Sequence, residues 1–288
     1  MVSVAIAQYP VSHPDNWDMF ADNVTSWIKN AGDNHASLVV FPEYAGMDLV
    51  GLLPGDIQVK LNKQLPYLQK FYADYLELYR QLAQKYAMYI LSGSFPVLVD
   101  NKEFRNRAVL FGPSGKIGFQ DKLIMTRFER ERWQIRPGNQ LAVFNTDIGN
   151  IGINICYDCE FPMLARRQAE AGADLLLVPS CTDTSAGYHR VKAGARARAL
   201  ENQCFVLQAS LVGESPDNPA VFRNTGRSAV YCPPDSQISD TGVWASREDD
   251  TPGMLYTDIE PAITQTLRQD GQVTPYADWP KQWTITGP

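Results

Sequence analysis

Three residue types in three separate stretches could do chemistry together. Cys156 lies in Gly152-Ile-Asn-Ile-Cys156-Tyr-Asp-Cys-Glu-Phe-Pro162, where an apolar, strand-like run meets a sharp break and an amphipathic segment follows. A thiol at a strand end, beside the first free N–H groups of a helical turn, is placed as a nucleophile, because those groups favour a thiolate and can stabilise an oxyanion. The bland reading of such a thiol is a buried core cysteine, which is what most cysteines of this kind are. Glu43, in Val39-Val-Phe-Pro-Glu43-Tyr, stands just past a buried strand, where sites of open α/β architectures gather; a solvated loop glutamate is the bland reading. Lys122, in Gln120-Asp-Lys122-Leu, reads alone as a surface lysine. Beside a carboxylate and a thiol it would hold the thiolate and donate to the oxyanion of a tetrahedral intermediate.

Two other chemistries compete for Cys156. The Cys156-Tyr-Asp-Cys159 spacing suits redox or zinc sites, but no second ligand pair of similar spacing completes a zinc site, and the surrounding elements are not thioredoxin-like. A Cys-His hydrolase would need His189, which falls in Thr184-Ser-Ala-Gly-Tyr-His189 and reads as a loop histidine after a strand. Tyr44, Tyr157, Asp183 and His189 also follow strand ends on the same presumed face.

The elements that must position these residues alternate in type. Strand patterns cover 2–8, 37–41, 88–93, 175–178, 205–210, 228–231 and 253–259. Helical patterns cover 17–31 (after a capping-type Asp15), 61–86, 161–171 and 191–203. Two hairpins are expected, 106–111 with 116–120 and 141–145 with 150–155. Hairpins mixed with helical crossovers predict an α/β fold with mixed sheets covered by helices. The absence of any linker or repeat predicts one domain over 1–268, followed by a polar tail, 269–288, placed at a subunit interface.

The 288 residues carry a net charge of -6 and no basic stripe, which argues against a nucleic-acid partner. No apolar run approaches the roughly 20 residues of a membrane span. The odd number of cysteines, 5, and the lack of a basic, signal-like N-terminus predict a reducing, cytoplasmic setting.

In this order, Phe41-Pro-Glu43, Asp121-Lys122-Leu and Gly152-Ile-Asn-Ile-Cys156-Tyr-Asp-x-x-Phe-Pro162 resemble the nitrilase, or carbon–nitrogen hydrolase, superfamily. Arg136-Pro-Gly138, Gly172-Ala-Asp174, Pro179-Ser180, Arg196–Gln203 and Gly226-Arg-Ser228 extend the resemblance over roughly residues 3 to 260. It implies a four-layer α-β-β-α sandwich, dimeric through its outer helices, with Glu43 as general base, Lys122 as oxyanion stabiliser and Cys156 as nucleophile. A second glutamate, in the charged loop Arg127-Phe-Glu-Arg-Glu-Arg-Trp133 and six residues before its Pro-Gly, is also implied; counting back from Pro137 gives Glu131 rather than Glu129. No metal or organic cofactor is implied. Cys156-Tyr157-Asp158 is similar to amidase-type members, so a small-molecule amide is the expected substrate, with nitriles or N-carbamoyl compounds as alternatives on the same triad and non-catalytic ligand binding as a distant one. Tyr157, Glu160 and Asp183 are the expected substrate contacts. Carbamoylases of the family carry arginines where this chain has Cys159 and Glu160, so a neutral or amine-bearing substrate is expected if Glu160 faces the pocket.

Overall fold

The computed structural model describes residues 1–100, 102–115 and 117–287. Lys116, read as the start of a hairpin strand, and Pro288, the end of the tail, lie outside the described residues. The strands are β1 (Val2–Pro10), β2 (Leu38–Val40), β3 (Tyr89–Val99), β4 (Glu103–Phe111), β5 (Ile117–Asp121), β6 (Val143–Thr146), β7 (Gly149–Ile153), β8 (Leu175–Ser180), β9 (Phe205–Glu214), β10 (Arg223–Asn224), β11 (Ala229–Tyr231), β12 (Val243–Ser246) and β13 (Gly253–Ile259). The helices are α1 (Trp17–Asp33), α2 (Gly55–Gln58), α3 (Leu61–Leu68), α4 (Tyr72–Lys85), α5 (Pro162–Glu170), α6 (Ser185–Asn202), α7 (Ala262–Asp270) and α8 (Pro275–Asp278).

The mixed sheet has two halves. One runs β5-β4-β3-β2-β1 with β13 beyond β1; the other runs β6-β7-β8-β9 with β11 and β12 beyond β9. They join because β1 pairs with β13 only as far as Gln8 and then continues against Ser210–Val212 of β9. The period of two sorts the side chains between layers. Ala5, Ala7 and Tyr9 of β1 enter a core with Phe20, Val24 and Ile28 of α1 and Tyr75, Tyr79 and Leu82 of α4. Val2, Val4 and Ile6 face the other half, in a core that includes Leu175, Leu177 and Val206. With α5 and α6 covering the second half, this is the four-layer α-β-β-α sandwich.

Local chemistry shifts several expected boundaries. The N-cap of α1 is Asn16, whose side chain accepts from the Met19 N–H at 2.9 Å, not Asp15. The stretch 61–86 divides into α3, a 3₁₀ turn at Gln69–Phe71 and α4; the apolar spacing runs on through the break. α6 begins at Ser185, six residues before the sequence pattern turns apolar, because Thr184 caps it through the Gly187 N–H. His189 is therefore helical.

Gly93 bears on the site directly. It adopts φ +74° at an irregularity in the β3–β4 register, and a Cβ there would lie 2.1 Å from the Pro42 carbonyl oxygen. Only glycine lets β3 pass this close beneath Pro42-Glu43. The tail packs in cis as far as Trp279: the Arg166 guanidinium of α5 lies over the Tyr276 and Trp279 rings and donates to the Tyr276 carbonyl. No helix among the described residues is long and apolar enough to cross a membrane.

Candidate active site

The loops after β2, β5 and β7 converge. Glu43 follows β2, and Phe41 still pairs with β3 through the Leu91 carbonyl. Proline at 42 then ends the pairing, and Tyr44 turns through φ +61°. Lys122 follows β5, anchored by its N–H donating to the Asn106 carbonyl. Cys156 opens a 3₁₀ turn, Cys156–Glu160, beyond β7, and it too adopts a left-handed φ, +49°. Two non-glycine residues in this costly region, at converging strand ends, mark a site that the surrounding structure holds under strain.

The charged groups are closely packed. The Lys122 ammonium donates to Glu43 Oε1 at 2.7 Å and to both Glu129 oxygens, at 2.9 and 2.7 Å. Each of these three side chains is at most 3% exposed. Asn106 donates to Glu43 Oε1 at 2.9 Å, and the Cys181 N–H donates to Glu43 Oε2 at 3.0 Å. The Tyr44 hydroxyl, at 2.6 Å, the Thr126 hydroxyl and N–H, and the Asn106 amide, at 3.3 Å, also donate to Glu129. The Cys156 thiol donates to the Cys181 carbonyl at 3.6 Å and stands beside Glu43.

The proton affinities of these groups differ in a useful way. Burial pushes the Glu43 carboxyl up, the Lys122 charge opposes this and the nearby Glu129 charge adds to it; the net shift is upward. Burial acts on Glu129 in the same sense, but the Lys122 charge and the bonds from Lys122, Tyr44 and Thr126 outweigh it and hold Glu129 below the usual range. Burial works against the Lys122 ammonium, yet Glu129 and Glu43 together raise its pKa well above the ordinary value. Burial and then the Glu43 charge raise Cys156. The resting site thus holds a neutral thiol, a fixed ammonium and a carboxylate with raised proton affinity.

Asp158 ties two of the loops together. Its carboxylate, on the Cys156 turn, accepts from the Leu123 N–H at 3.2 and 3.1 Å and from the Ile124 N–H at 2.8 Å, immediately after Lys122. From behind, α6 seats the same turn: Arg198 donates to the Cys159 carbonyl at 2.8 Å, and a Cβ on Gly194 would come within 2.9 Å of that oxygen.

Glu43, Lys122 and Cys156 line one cavity of about 830 Å³, with Tyr157, Glu160 and Asp183 on its walls. Glu131 is a correction. It is half-exposed and bonds Arg127 and Arg130 at the surface, while Glu129 occupies the inner position. The reason is local. Phe128–Trp133 forms a single π turn, in which residues four apart share a face. Buried Trp133, packed on Tyr44 at 4.9 Å, therefore carries Glu129 inward and leaves Glu131 outside. The Glu129/Trp133 spacing was the available signal. Asn106 and Cys181 were also missed; Cys181 acts through backbone groups, which leave no mark on residue type.

Neither competing chemistry is assembled. His189 is exposed and packs on Tyr188 outside the cavity wall. Cys159 points away from Cys156, its thiol donating to the Val191 carbonyl under α6. Among the described residues no group of three His, Cys, Asp or Glu side chains is placed to hold a metal ion.

A family model described as carbon–nitrogen hydrolase matches residues 3–269. The chain is 32% identical over 277 residues to a probable hydrolase, YhcX, of Bacillus subtilis, a match spanning 96% of this chain and 53% of that protein. It is 31% identical over 225 residues to omega-amidase NIT2-B of Xenopus laevis, covering 75% of this chain and 76% of the relative. The chain thus spans about half the length of the first of these relatives. The crystal structure of Saccharomyces cerevisiae Nit3, a member of the nitrilase superfamily, superposes with a TM-score of 0.73 at 24% identity, over 93% of each chain.

Proposed function

This chain belongs to the carbon–nitrogen hydrolase family, and we propose that it hydrolyses the carbon–nitrogen bond of a small non-peptide amide through a thioester on Cys156. The observation that carries the reading is the position of the Lys122 ammonium, bonded to Glu43 on one side and Glu129 on the other, in the cavity that Cys156 opens into. The amidase names of relatives support the choice of an amide.

Glu43, with its raised proton affinity, takes the Cys156 proton as sulfur attacks the amide carbon. The carbonyl electron pair moves to oxygen, where Lys122 and the Tyr157 N–H stabilise it. Tyr157 precedes the first bond closed within its turn, Asp158 N–H to Ile155 carbonyl, so its N–H is an unsatisfied helical donor of the kind that builds oxyanion holes. Glu43 then returns the proton to nitrogen, the carbon–nitrogen bond breaks, and ammonia or an amine leaves. Water enters, Glu43 takes its proton, hydroxide adds to the thioester, and the carbon–sulfur bond breaks to release the acid as Glu43 passes the proton to the departing Cys156 sulfur, which restores the thiol and the carboxylate. Glu129 keeps Lys122 charged and fixed throughout. A homodimer through the outer helices accords with the exposed Met163 on α5 and Leu200 on α6.

Ammonia release from short primary amides tests the reading. Wild type should release it and Cys156→Ala should not; release that survives in Cys156→Ala would overturn the assignment.

A further inference from the structure

The cavity wall has balanced charge. Lys122, Arg127, Arg190 and Arg223 face Glu43, Glu129, Glu160 and Asp183. Four cations against four carboxylates give no net field that would draw in a simple anion or a simple cation. Selection by charge must then come from how particular groups are placed.

The pairs are not equivalent. Arg127 is bonded to Glu131 at 3.1 and 3.2 Å, and Arg223 to Glu214 at 2.9 Å; neither carboxylate partner lines the cavity. Lys122 is held between Glu43 and Glu129. That leaves Glu160 and Arg190. Among the described residues, and apart from the Lys122 cluster, theirs is the one ion pair with both members on the wall. Their closest approach, Arg190 Nε to Glu160 Oε1, is 3.5 Å, beyond a good N–H···O hydrogen bond. The pair is loose, and each member keeps capacity for another partner.

Resting on the amidase reading above, we propose that Glu160 and Arg190 together receive the zwitterionic head of an α-amino acid, so that the favoured substrates are side-chain amides of α-amino acids. Arg190 takes the carboxylate, in the planar two-point geometry a guanidinium offers, and Glu160 takes the ammonium. The head inserts between the two side chains and satisfies both, whereas a substrate with one charge satisfies one and opposes the other. Glu160 ends the 3₁₀ turn that Cys156 begins. At about 2 Å rise per residue it lies roughly 8 Å along that turn from the nucleophile, a span that a short methylene chain bridges. The amine preference expected from Glu160 alone is replaced by recognition of both charges.

Four amides of matched backbone test this: glutamine, glutaramate without the amino group, γ-aminobutyramide without the carboxylate, and butyramide with neither. The readout is the ratio of kcat/KM for each charged amide to that for butyramide, which cancels differences in the amount of folded enzyme. The glutamine ratio should be the largest, about tenfold or more. Arg190→Gln should lower the glutamine and glutaramate ratios and leave that of γ-aminobutyramide; Glu160→Gln should lower those of glutamine and γ-aminobutyramide and leave that of glutaramate. Butyramide turnover with ratios that neither variant alters, or a glutaramate ratio above that of glutamine, would overturn the zwitterion site alone. If wild type turns over none of the four, the amidase reading fails and this inference fails with it.

Discussion

Glu129 accepts from the Lys122 ammonium through both of its carboxylate oxygens, at 2.9 and 2.7 Å. A buried lysine tends to shed its proton, and this two-point contact, with Glu43 on the other side, opposes that loss. Removing Lys122 would strand two buried carboxylates and cost about 3–5 kcal/mol of stability. Lost activity in a Lys122 variant would therefore mix unfolding with chemistry. Glu129→Gln keeps the shape and removes one charge. It is expected to lower kcat about 100-fold while the protein remains folded, as steady-state kinetics and circular dichroism would show. Glu131→Gln, which loosens only exposed ion pairs, should stay within about twofold of wild type. The reverse ranking would return the second glutamate to position 131.

His189 provides a separate contrast. It is exposed on α6 and does not line the cavity. His189→Ala should retain turnover within about twofold, since it removes a solvated side chain. Loss of amide turnover in that variant would favour a Cys-His mechanism.

Gly93→Ala tests the support beneath Glu43. The substitution combines a left-handed φ with a Cβ pressed 2.1 Å from the Pro42 oxygen. Backbone cannot yield there as a flexible side chain could. A loss of about 3 kcal/mol and a fall in Tm of roughly 10 °C are expected, with kcat reduced in the folded fraction because Glu43 shifts. A variant with wild-type Tm and kcat would show that β3 does not position Glu43.

Asp48 carries a pH signature of its own. Burial raises its carboxyl to about 7, against the bonds it accepts from the Ser12 hydroxyl and N–H and the Tyr9 hydroxyl. The folded protein therefore holds a proton here that the unfolded chain releases near pH 4. The contribution is fully present below about pH 4 and fades as pH rises to about 7. Tm measured across that window should fall less steeply in Asp48→Asn than in wild type. Identical slopes would place the proton elsewhere.

Much of the site was legible because strand ends announce themselves. Proline after a buried run marked Glu43, and the break after Gly152–Ile155 marked Cys156. Lys122 drew attention only through the other two. A mixed sheet covered by helices followed from β-branched runs alternating with helical spacing, and the four-layer sandwich from the family resemblance; the loops that reshape those runs followed from neither. Thr184 starts α6 before any apolar repeat begins. The π turn that selects Glu129 over Glu131 has a period that counting back from a motif does not contain. Cys181 serves Glu43 through its N–H and Cys156 through its carbonyl, contributions that any residue type could make.

The central claim is a covalent acyl intermediate on Cys156, and its most direct test is intact mass after acid quench during turnover of a short amide, followed by peptide mapping. The account predicts an acyl adduct on the peptide containing Cys156, absent in Cys156→Ala. Turnover that continues in Cys156→Ala, or an adduct that maps to the neighbouring Cys181, would contradict it.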